Sequence, residues 1–261
     1  MKSSNPVLGR EFPQGQRYAT FDTGPAPSPG ELQDMYDRPT YAPPRPMTID
    51  DVVAKTAATL GVLAIAGAAA WVLDVGTGLA IAAALVGFVL ALVIAFKQST
   101  SPALVLTYAA VEGVFLGAIS HVFNDAYPGI AIQAVTGTAA VFGGMLYVYK
   151  SGRIRVTPKF TRWLIGAMIG VLGLMVVNLI AALIGGGDGL GLRSGGPLAI
   201  VFSLVCIGVA AFSFLLDFDL VERAVAQGAP SQFAWYAAFG LTVTLVWLYL
   251  EILRLISYFR D

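Results

Sequence analysis

The chain predicts an all-α fold: a polytopic membrane protein in which seven helices form one transmembrane bundle behind a disordered N-terminal tail. Two observations carry this. Hydrophobic residues make up 57% of the 261 positions and charged residues 12%, against roughly 45 to 50% and about 25% in ordinary soluble domains. Apolar stretches long enough to cross a bilayer, about 20 residues, also recur along the chain, separated by short breaks rich in Gly, Pro, Ser and charge.

Residues 1–46 hold many of the 14 prolines and mix acids, bases and aromatics without apolar periodicity. Such a segment cannot bury enough surface to offset its ordering entropy, so it is expected to be a disordered cytoplasmic tail, with 47–261 as the membrane domain. The tail lacks the basic and apolar regions of a signal peptide. The first hydrophobic helix is therefore expected to act as an uncleaved membrane signal.

Thr48 followed by Asp51 is a helix-start signal, and Val52 to Leu73 supplies the first span. A break at Asp74 to Gly78 leads into helix 2, which ends near Phe96. Pro102 opens helix 3 at the first-turn position that proline favours, and that helix runs to about Phe123. After the turn "NDAYPG", helix 4 covers Ile130 to Tyr149. The basic connector "KSGRIRVTPKFTR" follows, with Thr157 and Pro158 as cap and first residue of helix 5, which ends at Gly185. The glycine-rich run "GGGDGLGLRSGGP" is expected to be a flexible loop. Helix 6 begins at Pro197 and helix 7 follows the turn Gly228 to Pro230.

Orientation follows from cations near the helix ends, because cytoplasmic flanks carry the excess of Lys and Arg. With the N-terminus inside, the inner flanks hold Arg38, Arg45, Lys55, Lys97, Lys150, Arg153, Arg155, Lys159, Arg162 and Arg223. The outer ones hold only Arg193, Arg254 and Arg260. The expected arrangement is a multi-pass protein of the plasma membrane, N-terminus cytoplasmic and C-terminus extracytoplasmic. Small residues at Gly61, Gly67, Gly137, Ala140 and Gly144 would permit close helix approach.

Acids within apolar spans are the functional candidates, since a carboxylate at the bilayer centre costs about 2.5 to 3.5 kcal/mol on insertion scales and so faces a bundle interior or a cavity. Asp217 and Asp219 stand in "FSFLLDFDLVE" and Glu251 in "WLYLEILRLISYF". At about 100° per residue, Ser203, Cys206, Ser213 and Asp217 share one stripe of helix 6. Gly240, Thr244, Trp247, Glu251, Arg254 and Tyr258 recur at spacings of four and three, a packing seam of helix 7. Arg254 can also reach Glu251 along its own helix face, which leaves a structural ion pair as the alternative for Glu251; for Asp217 and Asp219 the alternative is a position among inner headgroups. Glu112, one turn after Tyr108 in helix 3, either lines a cavity or pairs structurally. His121 lies on the opposite face of that helix near its outer end.

Enzyme constellations are weak, and no catalytic role or cofactor is expected. One histidine and one cysteine cannot supply an H-E-x-x-H zinc site, and the glycine-rich run lacks the lysine and strand context of a phosphate loop. Nothing is pervasively basic, so nucleic acid is not an expected partner.

The segments "EGVFLGAISHVF", "FSFLLDFDLVE" and "WLYLEILRLISYF" together resemble the Bax inhibitor family (transmembrane Bax inhibitor motif proteins), in the actinobacterial-type branch of Bax inhibitor-1/YccA-like proteins. The resemblance implies a seven-helix bundle in which an acid of helix 6, Asp217 or Asp219, hydrogen-bonds to the helix 7 acid Glu251, shares a proton with it and sets the opening of a calcium leak. Two carboxylates sharing a site titrate as a unit. Raising the pH would then set like charges against each other and separate helices 6 and 7, with Arg254 limiting the effect. Proton-sensing or gating residues are thus Asp217, Asp219, Glu251 and Arg254; pore or cavity lining falls to Glu112, Tyr108, Ser213 and Thr244. No fixed metal is expected, only transient calcium at Asp217 and Glu251.

The spacing raises a geometric difficulty. With the turn at Ala229, the two acids differ by ten residues in distance from it, about 15 Å of helix. The expected resolution is that Ser231 to Ala238 lies along the inner interface, with the true seventh span starting near Gly240 and helix 6 running to about Arg223. The function expected is a pH-sensitive calcium or cation leak channel. The alternative is a non-conducting regulator that binds a membrane protease or other membrane proteins. Expected partners are membrane lipid, calcium ions or protons, and other membrane proteins.

Overall fold

The computed structural model describes residues 28–30, 33, 45–185, 187 and 189–260. Nearly all of the expected N-terminal tail therefore lies outside the described residues. Seven long helices follow one another: α1 Ile49–Val72, α2 Thr77–Lys97, α3 Pro102–Ala126, α4 Ile130–Lys150, α5 Pro158–Gly185, α6 Pro197–Ala226 and α7 Phe233–Tyr258. All seven are long and apolar enough to cross a membrane, and no strand forms among the described residues.

Local chemistry sets the ends. Thr48 and Asp51 make the reciprocal capping box that starts α1: Asp51 N–H donates to Thr48 Oγ1 at 3.2 Å and Thr48 N–H to Asp51 Oδ2 at 3.0 Å. Two orphan amides at the helix start are thereby satisfied. Pro102 and Pro197 open α3 and α6, where a missing N–H costs nothing. Ahead of α1, Met47 N–H donates to the Ala229 carbonyl at 2.7 Å and Ser231 N–H to the Arg45 carbonyl at 2.9 Å. The segment at Arg45 to Met47 is thus strapped to the α6–α7 turn, and the Met47 side chain is buried in the core.

The helices divide into a central group and a shell. Helices α3, α6 and α7 bury about half of their spanning windows, whereas α5 buries 6%, so α5 turns most of its apolar surface to lipid. Helix α7 packs on α1, α3, α4 and α6, with Phe214, Phe218, Leu248 and Leu253 in the common core. Helix α5 packs on α6 through Leu164, Val171, Phe202 and Val209. The α1–α3 crossing is close because backbone meets backbone: a Cβ at Gly117 would strike the Gly67 carbonyl, and one at Gly113 the Leu63 carbonyl. Only glycine permits that approach. Of the other small residues expected at contacts, Gly137 faces Ile252, while nothing lies close to Gly61 or Gly144.

One expectation is corrected here. Ser231 to Ala238 does not form an interfacial segment ahead of a span at Gly240; α7 is one unbroken helix from Phe233, and α6 extends to Ala226. Ala234, Ala237, Ala238 and Leu241 are buried along one face, and that continuous apolar stripe carries the helix straight through Gly240. A single glycine costs a helix only about 1 kcal/mol, too little to break it against such packing.

Candidate functional site

The register of the α6–α7 hairpin decides which polar groups meet. Asp217 and Thr244 stand at equal distances along the chain from the Pro230–Ser231 turn, and Thr244 Oγ1 donates to Asp217 Oδ2 at 2.8 Å. Gly240, one turn earlier on α7, leaves room beside the same carboxylate, since a Cβ there would lie 3.7 Å from Asp217 Oδ1. Asp219, two residues on, points elsewhere and pairs with Arg223 of its own helix at 2.5 Å, with 59% of the Arg223 side chain exposed. The "D-F-D" motif therefore splits into one acid facing α7 and one in a surface ion pair.

Glu251 sits two turns further along α7, about 10 Å from Thr244 along the axis. It is 2% exposed and is gripped from the α5–α6 loop: Arg193 Nη1 donates to Oε2 at 2.9 Å and Nη2 to Oε1 at 2.8 Å. A guanidinium fork on a carboxylate is the strongest common side-chain pairing. Arg254, one turn on, brings Nη1 only to 3.7 Å from Oε1. The expected ion pair of Glu251 with Arg254 is thus present but secondary. Arg193 also lies over the Phe202 ring, 5.2 Å from its centroid. Burial works against its charge, but the bonds to Glu251 outweigh burial and hold its pKa above the ordinary value.

The pairing of Asp217 with Glu251 is corrected accordingly. Each acid bonds to a different partner, no hydrogen bond joins them among the described residues, and the hairpin register keeps them apart. The proposed resolution by a late start to α7 fails because α7 is continuous. The repulsion expected on raising the pH, which needed a shared proton, has no basis in this arrangement.

The remaining candidates separate. Ser213 Oγ donates to the Val209 carbonyl at 2.9 Å and lies 3.6 Å from Met168 Sδ of α5, away from Asp217's contact with α7. Tyr108 is 3% exposed and meets the Phe239 ring edge-on at 5.1 Å. Glu112 faces α2, with its Oε2 in the space that Gly87 leaves by lacking a side chain. It makes no hydrogen bond among the described residues. His121 has Asp74 and Asp125 each 3.5 Å from Nδ1 and the Trp71 ring edge-on at 5.1 Å, near the C-terminal end of α3.

Arg193 is the residue that sequence reasoning missed; it counted only as an outer-flank cation. A signal was available, as it is the one cation in a run of glycines between two spans. The loop is steered by buried Leu192 and by Leu190 N–H donating to Asn178 Oδ1 of α5 at 2.9 Å. At Gly189, φ is +64° and a Cβ would collide with the Asn178 carbonyl, so only glycine lets the loop fold back over α5 and deliver Arg193.

Seven apolar helices and acids placed along the α6–α7 seam together describe an integral membrane protein with a charged site inside its bundle. Compared with curated proteins, the chain finds no match. A family model described as Bax inhibitor 1 like matches residues 5–261, and the chain belongs to that family.

Proposed function

We propose that the protein is a proton-sensitive cation leak, for calcium, with Asp217 as the helix 6 acid and Glu251 as the helix 7 acid. The observation supporting this is that two carboxylates lie along one helical seam inside the membrane and are held differently, Glu251 by a cation and Asp217 by a neutral hydroxyl. The contact at Glu251 is a closed latch. Protonating Glu251 removes the charge that holds Arg193 and frees the α5–α6 loop. Asp217, whose partner Thr244 carries no charge, has no cation of its own and can exchange a proton for a passing cation, and calcium favours carboxylate oxygen. The two acids act in series along the seam rather than as one shared-proton pair. We place the N-terminus in the cytoplasm and the C-terminus outside, in the plasma membrane, on the excess of cations at the α4–α5 connector.

The test is calcium flux into liposomes holding the purified full chain, across pH, for the wild type, Asp217→Asn and Glu251→Gln. Flux that changes with pH in the wild type and is flattened by either substitution supports the reading. Absence of flux at every pH in a well-folded preparation overturns it and favours a regulator that works by contact with other membrane proteins. A reporter after Asp261 is expected outside and one within 150–162 inside.

A further inference from the structure

We propose that the open cavity bordered by the α5–α6 loop and helices α5, α6 and α7 binds an oxyanion, a phosphate ester or carboxylate, carried on an apolar chain. The cavity, of about 320 Å³, is lined by Arg193, Arg254 and Asn178 on its polar side and by Met175, Leu179 and Phe202 on its apolar side. This site does not depend on whether the protein conducts ions.

Charge balance is the first argument. Two guanidiniums, Arg193 and Arg254, share one carboxylate, Glu251, and Arg193 takes both of its oxygens in short bonds. Arg254 is left with a single contact at 3.7 Å while its side chain is 36% exposed. No hydrogen bond satisfies its five N–H groups among the described residues, so it is a cation without an adequate counterion in mostly apolar surroundings. Groups in that position recruit an anion or are destabilising.

Donor geometry is the second. Asn178 gives its carbonyl oxygen to Leu190 N–H, which turns its amide N–H₂ into an uncommitted donor on the cavity wall. One turn beyond Arg254 on α7, outside the cavity's own lining, the Tyr258 hydroxyl is buried with no hydrogen-bond partner among the described residues. The polar wall itself thus presents the donors of Arg193, Arg254 and the Asn178 amide, which is the complement of an oxyanion.

The apolar wall supplies the rest of the ligand class. Leu179 is 58% and Leu183 76% exposed on α5, so the cavity opens along a helix face that already meets hydrocarbon. A lipid headgroup and a soluble phosphate ester share the chemistry of the polar wall, and only the first would use the apolar one.

The experiment is native mass spectrometry of the intact chain in detergent, titrated with phosphatidylglycerol or phosphatidylcholine, and competed with glycerol phosphate and inorganic phosphate. The wild type is expected to retain phosphatidylglycerol about tenfold more tightly, with the preference lost in Arg254→Gln, as a charge-assisted bond would give. Ala182→Phe, which fills the cavity from α5 without touching a charge, is expected to weaken retention of phosphatidylglycerol as well. Displacement by millimolar glycerol phosphate overturns the apolar chain and leaves a soluble oxyanion on the polar wall; resistance to it supports the lipid. Equal retention of the two lipids by the wild type overturns the proposal. So does an undiminished preference in Ala182→Phe, which decides the matter if Arg254→Gln does not fold.

Discussion

The two ends of the α6–α7 seam hold their acids by opposite means. At one end Glu251 is almost wholly buried and its charge is met by a guanidinium delivered from 58 residues away. At the other, Asp217 meets Thr244 of the adjacent helix in the same hairpin, a neutral donor. Removing one member of a buried ion pair strands the other, whereas losing one hydrogen bond from a neutral donor to a carboxylate costs less. The Glu251 end is therefore the one where losing a partner is most destabilising, and the Asp217 end the one that tolerates it better.

The contrast is broken most severely by Arg193→Gln, which leaves Glu251 buried with only the distant Arg254. A loss of about 3 to 5 kcal/mol is expected, read as a large fall in Tm of the detergent-solubilised protein. A change confined to a fraction of that would mean Arg254 moves in to replace it. Thr244→Val tests the other end. It keeps the volume but removes a donor to a carboxylate, and about 1.5 to 3 kcal/mol should be lost in chemical unfolding.

Asp217→Asn is gentler, because the amide oxygen still accepts from Thr244; a cost of about 1 kcal/mol is expected. Its main effect should be on function, flattening the pH dependence of calcium flux. The smallest effect belongs to Asp219→Asn, whose partner Arg223 is mostly in solvent. A surface ion pair is worth about 0 to 1 kcal/mol, and flux should retain its pH dependence. If Asp219→Asn flattens the flux profile while Asp217→Asn leaves it intact, the assignment of the two acids is reversed.

The spans were legible because their signals are local. The capping box at Thr48 and Asp51, the prolines at 102, 158 and 197 and the glycine turns act over a few residues, and bilayer thickness sets the rest. The seam on α7 was legible too: helical period alone puts Gly240, Thr244, Glu251 and Arg254 on one face, and the structure turns that face to α6 and the α5–α6 loop. Glu112 shows the limit of this kind of reading. Period marked it as an acid in mid-span, but its neighbour Gly87 is on another helix and carries no signal of its own beyond the absence of a side chain.

What the sequence determined by itself was the number and order of the helices, their membrane character, the family, and which acids lie inside the apolar spans. All of these depend on composition and on periods of a few residues. Only the tertiary structure decided the partners. The offset between Asp217 and Glu251 could be counted, yet whether α7 bent to cancel it depended on the buried face of Ala234, Ala237, Ala238 and Leu241, which exists only against neighbouring helices. Arg193 reaches Glu251 because a glycine loop with no periodicity folds back over Asn178 and buries Leu192. A loop of that kind has many permitted backbone paths, and the packing at its ends selects the one that brings a cation to a buried acid.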